Sequence, residues 1–119
     1  MNLYHYKATV RRVVDGDTVD LEAALGMDTY RRIRCRLAHI NAPESRTRDL
    51  EEKARGLAAK ARLQEMLEGQ TIILESESYG KYGRVLGTLW IQNSETSLTN
   101  VNQALLNEGH ATPYEGGKR

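Results

Sequence analysis

The sequence predicts an α+β fold. Three observations lead there. Stretches of period-two alternation come first in the chain, a long helical pattern follows, and two more strand-like runs and a short second helix complete the order. Gly, Asp, Asn and Pro punctuate these stretches at turn positions. The length of 119 residues with 39% hydrophobic content suffices for one core and is short for two, so a single domain over residues 1–119 is expected. At this size five strands remove their exposed edges by closing, and the grouping of three strands, helix, two strands, helix fits a five-stranded OB-type β-barrel with two or three α-helices.

Residues 4–14 alternate apolar and polar side chains, turn at Asp15-Gly16-Asp17, and alternate again over residues 18–25, which is a hairpin. Residues 26–29 form a second turn. Residues 30–40 set Ile33, Cys35 and Leu37 against Arg32, Arg34 and Arg36 as a third strand, and Pro43 stops it because proline cannot donate to a ladder. Residues 49–67 are the clearest helix, with Leu50, Ala54, Leu57, Ala58 and Ala61 expected on its inward stripe, Thr47 or Asp49 as its cap and Gly69 just past its end. Strands are expected over residues 71–75 and 85–91, joined by a turn-rich connection over 76–83. A shorter helix is expected over residues 98–108, capped by Ser97 or Thr99 and closed by Gly109, before a frayed tail at 116–119.

Composition narrows the function. Seventeen basic against sixteen acidic residues give a formal charge of +1, so the molecule is not a polycation and any attraction to nucleic acid must be local. Locally, Arg31, Arg32, Arg34, Arg36, Arg46 and Arg48 crowd one region, and the balancing acids are expected on the helix that follows. Cys35 is the single cysteine and the three histidines are scattered, which excludes an internal disulfide and argues against zinc. His39 and His110 read as structural or surface residues. No signal peptide or bilayer-length apolar run is visible, and a cytoplasmic monomer without a membrane association or an obligate protein partner is expected.

Three segments carry chemistry. Asp15-Gly16-Asp17-Thr18-Val19 on its own reads as a hairpin turn, but Asp17 at a strand start can present carboxylate oxygens. Arg36 through Asn41-Ala42-Pro43-Glu44 adds a second oxygen cluster, a guanidinium and a free carboxylate, and Lys81-Tyr82-Gly83-Arg84 adds a second guanidinium. Calcium accepts irregular sets of oxygen ligands, planar guanidinium forks match phosphate, and a glutamate supplies a base. Singly, each residue has an ordinary reading: a solvated strand arginine, an ion-paired Arg84, a Glu44 that caps a turn, half-buried tyrosines. Their joint occurrence outweighs those readings.

In order and composition the three segments resemble the signature segments of the staphylococcal nuclease (thermonuclease) family, over a stretch from about Ala8 to about Tyr114. The resemblance implies a calcium-dependent phosphodiesterase, an endonuclease cutting DNA and RNA with little sequence preference and leaving 3′-phosphate ends. It implies Asp17, Asn41 and the Ala42 carbonyl as calcium ligands, Glu44 as the base or its positioner, Arg36 and Arg84 on the phosphate, and Lys81, Tyr82 and Tyr114 against the substrate. The chain departs from the family pattern at Asn41, where a second aspartate is usual, and at Ala42, where threonine is usual. Losing a formal charge predicts weaker calcium binding, with Asp15 able to compensate through a water. The competing reading is a catalytically weak or silent nuclease-like module that binds nucleic acid or protein. A generic single-strand binder is disfavoured by six tyrosines, one tryptophan and no phenylalanine.

Overall fold

The computed structural model describes residues 4–70, 72–79 and 84–114. β1 (Tyr4–Asp15), β2 (Thr18–Gly26) and β3 (Thr29–Leu37) form an antiparallel meander, followed by the two-residue β4 (Ile40–Asn41) and by α1 (Leu50–Leu67). β5 (Ile72–Tyr79), β6 (Arg84–Ser94) and β7 (Ser97–Asn100) lead into α2 (Val101–Asn107) and the short β8 (Thr112–Pro113). β1 pairs with β2 on one side and β5 on the other, and β5 pairs with β6. A parallel pairing of β3 with β6, Arg34 opposite Arg84 through Leu37 opposite Gly87, then closes the five strands into the expected barrel.

Alternation sends Val19, Leu21, Ile33, Cys35, Leu37, Leu74 and Leu89 inward, where Leu63, Val101 and Leu105 of the two helices meet them; all are buried. Cys35 lies wholly within this core, and burial pushes its thiol up to about 12 from the ordinary 9.0. A buried polar residue fastens the second helix to the barrel. The Asn102 amide donates to the carbonyls of Ala38 at 3.0 Å and Gly87 at 3.2 Å, and its oxygen accepts from the Leu89 N–H at 3.2 Å.

The structure corrects five details. The inward stripe of α1 is Gly56, Ala59, Leu63 and Leu67; Ala54, Ala58 and Ala61 are exposed, Leu50 is 79% exposed and Leu57 48%. At Gly56 and Ala59 the helix closely approaches the Glu44 backbone and the Gly16 turn, a contact that leaves no room for a leucine. Asp49 is the N-cap, accepting from the N–H groups of Glu51 and Glu52. β5 runs on to Tyr79 through the stretch expected as a turn, with a register shift between Ser76 and Ser78 absorbing the curvature. Residues 97–100 pair with β6 as an edge strand, so α2 starts at Val101 with Asn100 as its cap. The third strand also breaks at Ala38-His39, where His39 takes a left-handed φ of 67° and turns the chain into β4. The acids that neutralise the β3 arginines lie on β2: Asp20 takes Arg34 at 2.8 Å, Glu22 faces Arg32 at 3.9 Å, and their Cα positions are in register.

The state of Cys35 gives a measurable expectation. A thiol-specific reagent at pH 8 should leave the native protein unlabelled and react only on denaturation. Because the folded thiol holds its proton more tightly than the unfolded one, its contribution to stability is complete below pH 9 and declines as pH rises from 9 towards 12. Urea melts of the wild type and of Cys35→Ala across that window should converge as the pH rises.

Candidate active site

The Asp15-Gly16-Asp17 turn and the 38–44 loop are drawn together by small residues. A Cβ on Gly16 would stand 2.7 Å from the Ala59 Cβ and 2.9 Å from the Ala42 Cβ, so glycine is what lets the turn, the loop and α1 touch at one point. A Cβ on Gly56 would overlap the Glu44 carbonyl. The Glu44 N–H also donates to Glu52 at 3.3 Å, so α1 seats the backbone of this residue directly.

Through that contact Asp17 comes to lie buried, its Oδ2 accepting from the Ala42 N–H at 2.9 Å and its Oδ1 from the Thr18 hydroxyl at 3.0 Å. The Asp17 carbonyl accepts from the Leu37 N–H at 2.8 Å, a second tie between the two segments. The Arg36 guanidinium stands 3.4 Å from Asp17 Oδ2. Arg36 donates to the carbonyls of Leu37 at 3.1 Å and Ile40 at 2.9 Å and to Asn41 Oδ1 at 3.2 Å. Three of its five N–H donors are thus committed, and one on Nε and one on Nη2 make no hydrogen bond among the described residues. Tyr114 covers it, with the ring centroid 5.8 Å from the guanidinium carbon, and the Tyr114 N–H is held by the His39 carbonyl at 2.9 Å.

The expected residues therefore divide. Asp17, Arg36, Asn41, Ala42 and Tyr114 meet in one cluster. Arg84, exposed at the start of β6, lines with Arg36, Asp15 and Thr18 a cleft of about 490 Å³. The Glu44 side chain is exposed and makes no hydrogen bond or ion pair among the described residues. Lys81, Tyr82 and the tail at 116–119 lie outside the described residues. Sequence reasoning missed Thr18, Gly56 and Asn102 as supports; a glycine inside an otherwise strong helix pattern was the available signal for close backbone approach.

Oxygen donors of this kind suit a hard cation. Asp15 supplies an independent sign, because its Oδ1 is buried with no hydrogen-bond partner among the described residues while the residue borders the cleft. Against this stands charge: no group of three or more His, Cys, Asp or Glu side chains among the described residues could hold a metal. The donors fit calcium in kind and leave the site short of negative charge.

A family model described as staphylococcal nuclease homologue matches residues 34–119, well over half of the chain. The chain belongs to this family. Within it, the chain is 33% identical over 113 residues to a micrococcal nuclease of Shigella flexneri, covering 92% of this chain and 59% of that protein. It is 31% identical over 112 residues to Protein ParB of Escherichia coli, covering 91% and 57%. A protein of Escherichia coli described as an uncharacterized endonuclease is 30% identical over 106 residues, covering 89% and 60%. The chain thus spans about 59% of the length of the micrococcal nuclease and similar shares of the other two. The family model begins at Arg34, so the turn bearing Asp17 falls before its matched stretch.

The seating of Glu44 can be tested without any substrate. In an exposed helix interior, Gly→Ala stabilises by about 0.5–1 kcal/mol. At Gly56 the methyl must displace the Glu44 backbone, an overpacking cost of about 1–3 kcal/mol. Gly56→Ala should therefore lower the midpoint of urea unfolding. A raised midpoint would remove the close approach between helix and loop.

Proposed function

We propose that this nuclease-family chain is a hydrolase that cleaves phosphodiester bonds of DNA or RNA with calcium, with little sequence preference, leaving 3′-phosphate ends. One observation carries the reading. Two segments apart in sequence put the Asp17 carboxylate, the Asn41 amide oxygen and the Arg36 guanidinium in one part-buried cluster, beside a cleft that Arg36 and Arg84 both line. The micrococcal nuclease of Shigella flexneri, similar over most of this chain, supports the nuclease part of this reading.

In this reading Asp17, Asn41 and the Ala42 carbonyl would hold the ion, and Asp15 would supply further charge. Bound calcium would polarise a phosphoryl oxygen and offset the charge that develops on it. The two free donors of Arg36 and the fork of Arg84 grip the equatorial oxygens, where charge accumulates. Glu44 takes the proton of the attacking water as its oxygen bonds to phosphorus. The bond from phosphorus to the 5′-oxygen breaks, that oxygen takes up a proton, and the phosphate stays on the 3′ side. The hydrogen bonds of Arg36 to its carbonyl partners and its pairing with Asp17 fix one guanidinium before substrate arrives, so little ordering remains to be done.

A second reading has its own observation. Asn41 leaves the ion site one charge short, and among the described residues no cluster of three potential ligands compensates, which favours a module that binds nucleic acid or protein without cleaving it. Incubation with single-stranded DNA in millimolar calcium, then with chelator, separates the two. The nuclease reading expects calcium-dependent digestion reduced about 100-fold or more by Glu44→Ala or Arg84→Ala, with circular dichroism unchanged. Binding with no digestion at any calcium concentration would favour the module. Asn41→Asp should tighten the calcium titration; an unaltered titration would take Asn41 out of the ion's coordination.

A further inference from the structure

We infer that Arg34 and Arg46 form a flanking phosphate subsite, so that the cleft selects a strand with several phosphates over a single phosphodiester. This rests on the phosphodiester reading of the cleft given above and extends it to residues that the reading does not use.

Arg34 and Arg36 are two residues apart on the outward face of β3, about 6.6 Å along the strand, comparable with the reach between successive phosphates of an unstacked nucleotide chain. Arg84 is the Cα partner of Arg34 across the parallel ladder, about 4.8 Å away, with its side chain on the same side. Arg46 reaches the same cleft from the loop after Glu44, and all four arginines line it. Four guanidinium groups line the cleft against one carboxylate, that of Asp15, and this excess within the lining is more than one phosphodiester, carrying one negative charge, can neutralise.

The neutralisation available inside the protein is uneven. Arg36 is held by Asp17, and Arg34 by a two-pronged contact with Asp20, Nε to Oδ1 at 2.8 Å and Nη2 to Oδ2 at 3.3 Å. That contact holds the Asp20 carboxyl below its usual range and aims the Arg34 plane while Nη1 makes no hydrogen bond among the described residues. Arg46 and Arg84 are exposed and make no ion pair among the described residues. The excess positive charge therefore lies beside the ion cluster, along one direction of β3. A polyanion running along that direction, with one phosphate at Arg36 and the next at Arg34 and Arg46, relieves it, and Arg84, opposite Arg34 on β6, lines the cleft beside both. Arg32 does not extend the row, because it faces Glu22 at 3.9 Å and is not part of the cleft.

The test is fluorescence anisotropy with labelled thymidylates, a dinucleotide and an octanucleotide, in chelator so that nothing is cut. The wild type should bind the octanucleotide more tightly, with an affinity that falls as salt rises. Arg46→Gln and Arg34→Gln should each weaken octanucleotide binding roughly fivefold, with a smaller effect on the dinucleotide. Each should also flatten the salt dependence by about 0.7 in slope, the value for one phosphate contact on a single strand. Arg34→Lys, which keeps charge while losing the fork, should restore the slope but not the full affinity. Equal losses on both lengths, unchanged slopes in both variants, or no salt-dependent binding by the wild type would overturn the subsite. If these binding results hold while calcium produces no digestion, the hydrolytic reading fails and the subsite stands.

Discussion

Helix α1 approaches the barrel so closely that no side chain larger than a methyl fits where it crosses the two functional loops, and the arrangement of the site follows from that constraint. Gly16, Ala42, Ala59 and Gly56 occupy the crossing. Once they are in contact, the Ala42 N–H reaches the Asp17 carboxylate, and Glu44 is seated by the helix backbone. Glycine in the middle of a helix costs local stability, and glycine in the turn adds conformational freedom to the unfolded chain. Both costs are incurred where chain segments must meet, which is the pattern expected when position matters more than local propensity.

Arg36 carries a double burden. An arginine with so many internal acceptors is first of all a bracket: it ties the end of β3 to Ile40 and Asn41, and its charge is balanced by Asp17. Removing either partner of such a part-buried pair leaves the other uncompensated, so the pair is expected to be costly to break even apart from any chemistry. The same bracketing aims its remaining donors outward. The exposed arginines differ in kind, being screened by solvent and contributing little to the fold.

Much of the architecture was legible because it depends on period and punctuation. The three alternating segments, the break at Pro43, the helix ending before Gly69 and the helix ending at Gly109 are local signals, and Gly69 and Gly109 adopt the left-handed φ of 69° and 80° that a terminating residue needs. The inward face of α1 was not legible, because Leu50, Ala54, Leu57, Ala58 and Ala61 form an equally regular apolar stripe on the other side. Choosing between two stripes requires knowing how near the helix comes to the barrel, which is a tertiary fact. The start of α2 was missed for a related reason: Ser97, Thr99 and Asn100 are all competent caps, and only pairing with β6 decides among them. At the candidate site, residue types were readable from the motifs, whereas the burial of Asp17 and the unpartnered oxygen of Asp15 required the fold.

The central claim is that segments distant in sequence converge on one ion and one phosphate. It is tested most directly by recording backbone amide NMR spectra during a calcium titration. The account predicts saturable shifts concentrated together at Asp17, Asn41 and Ala42, which share a hydrogen bond and a guanidinium partner. Shifts centred instead on the acidic first turn of α1, at Glu51 and Glu52, or no saturable change at any amide, would contradict it.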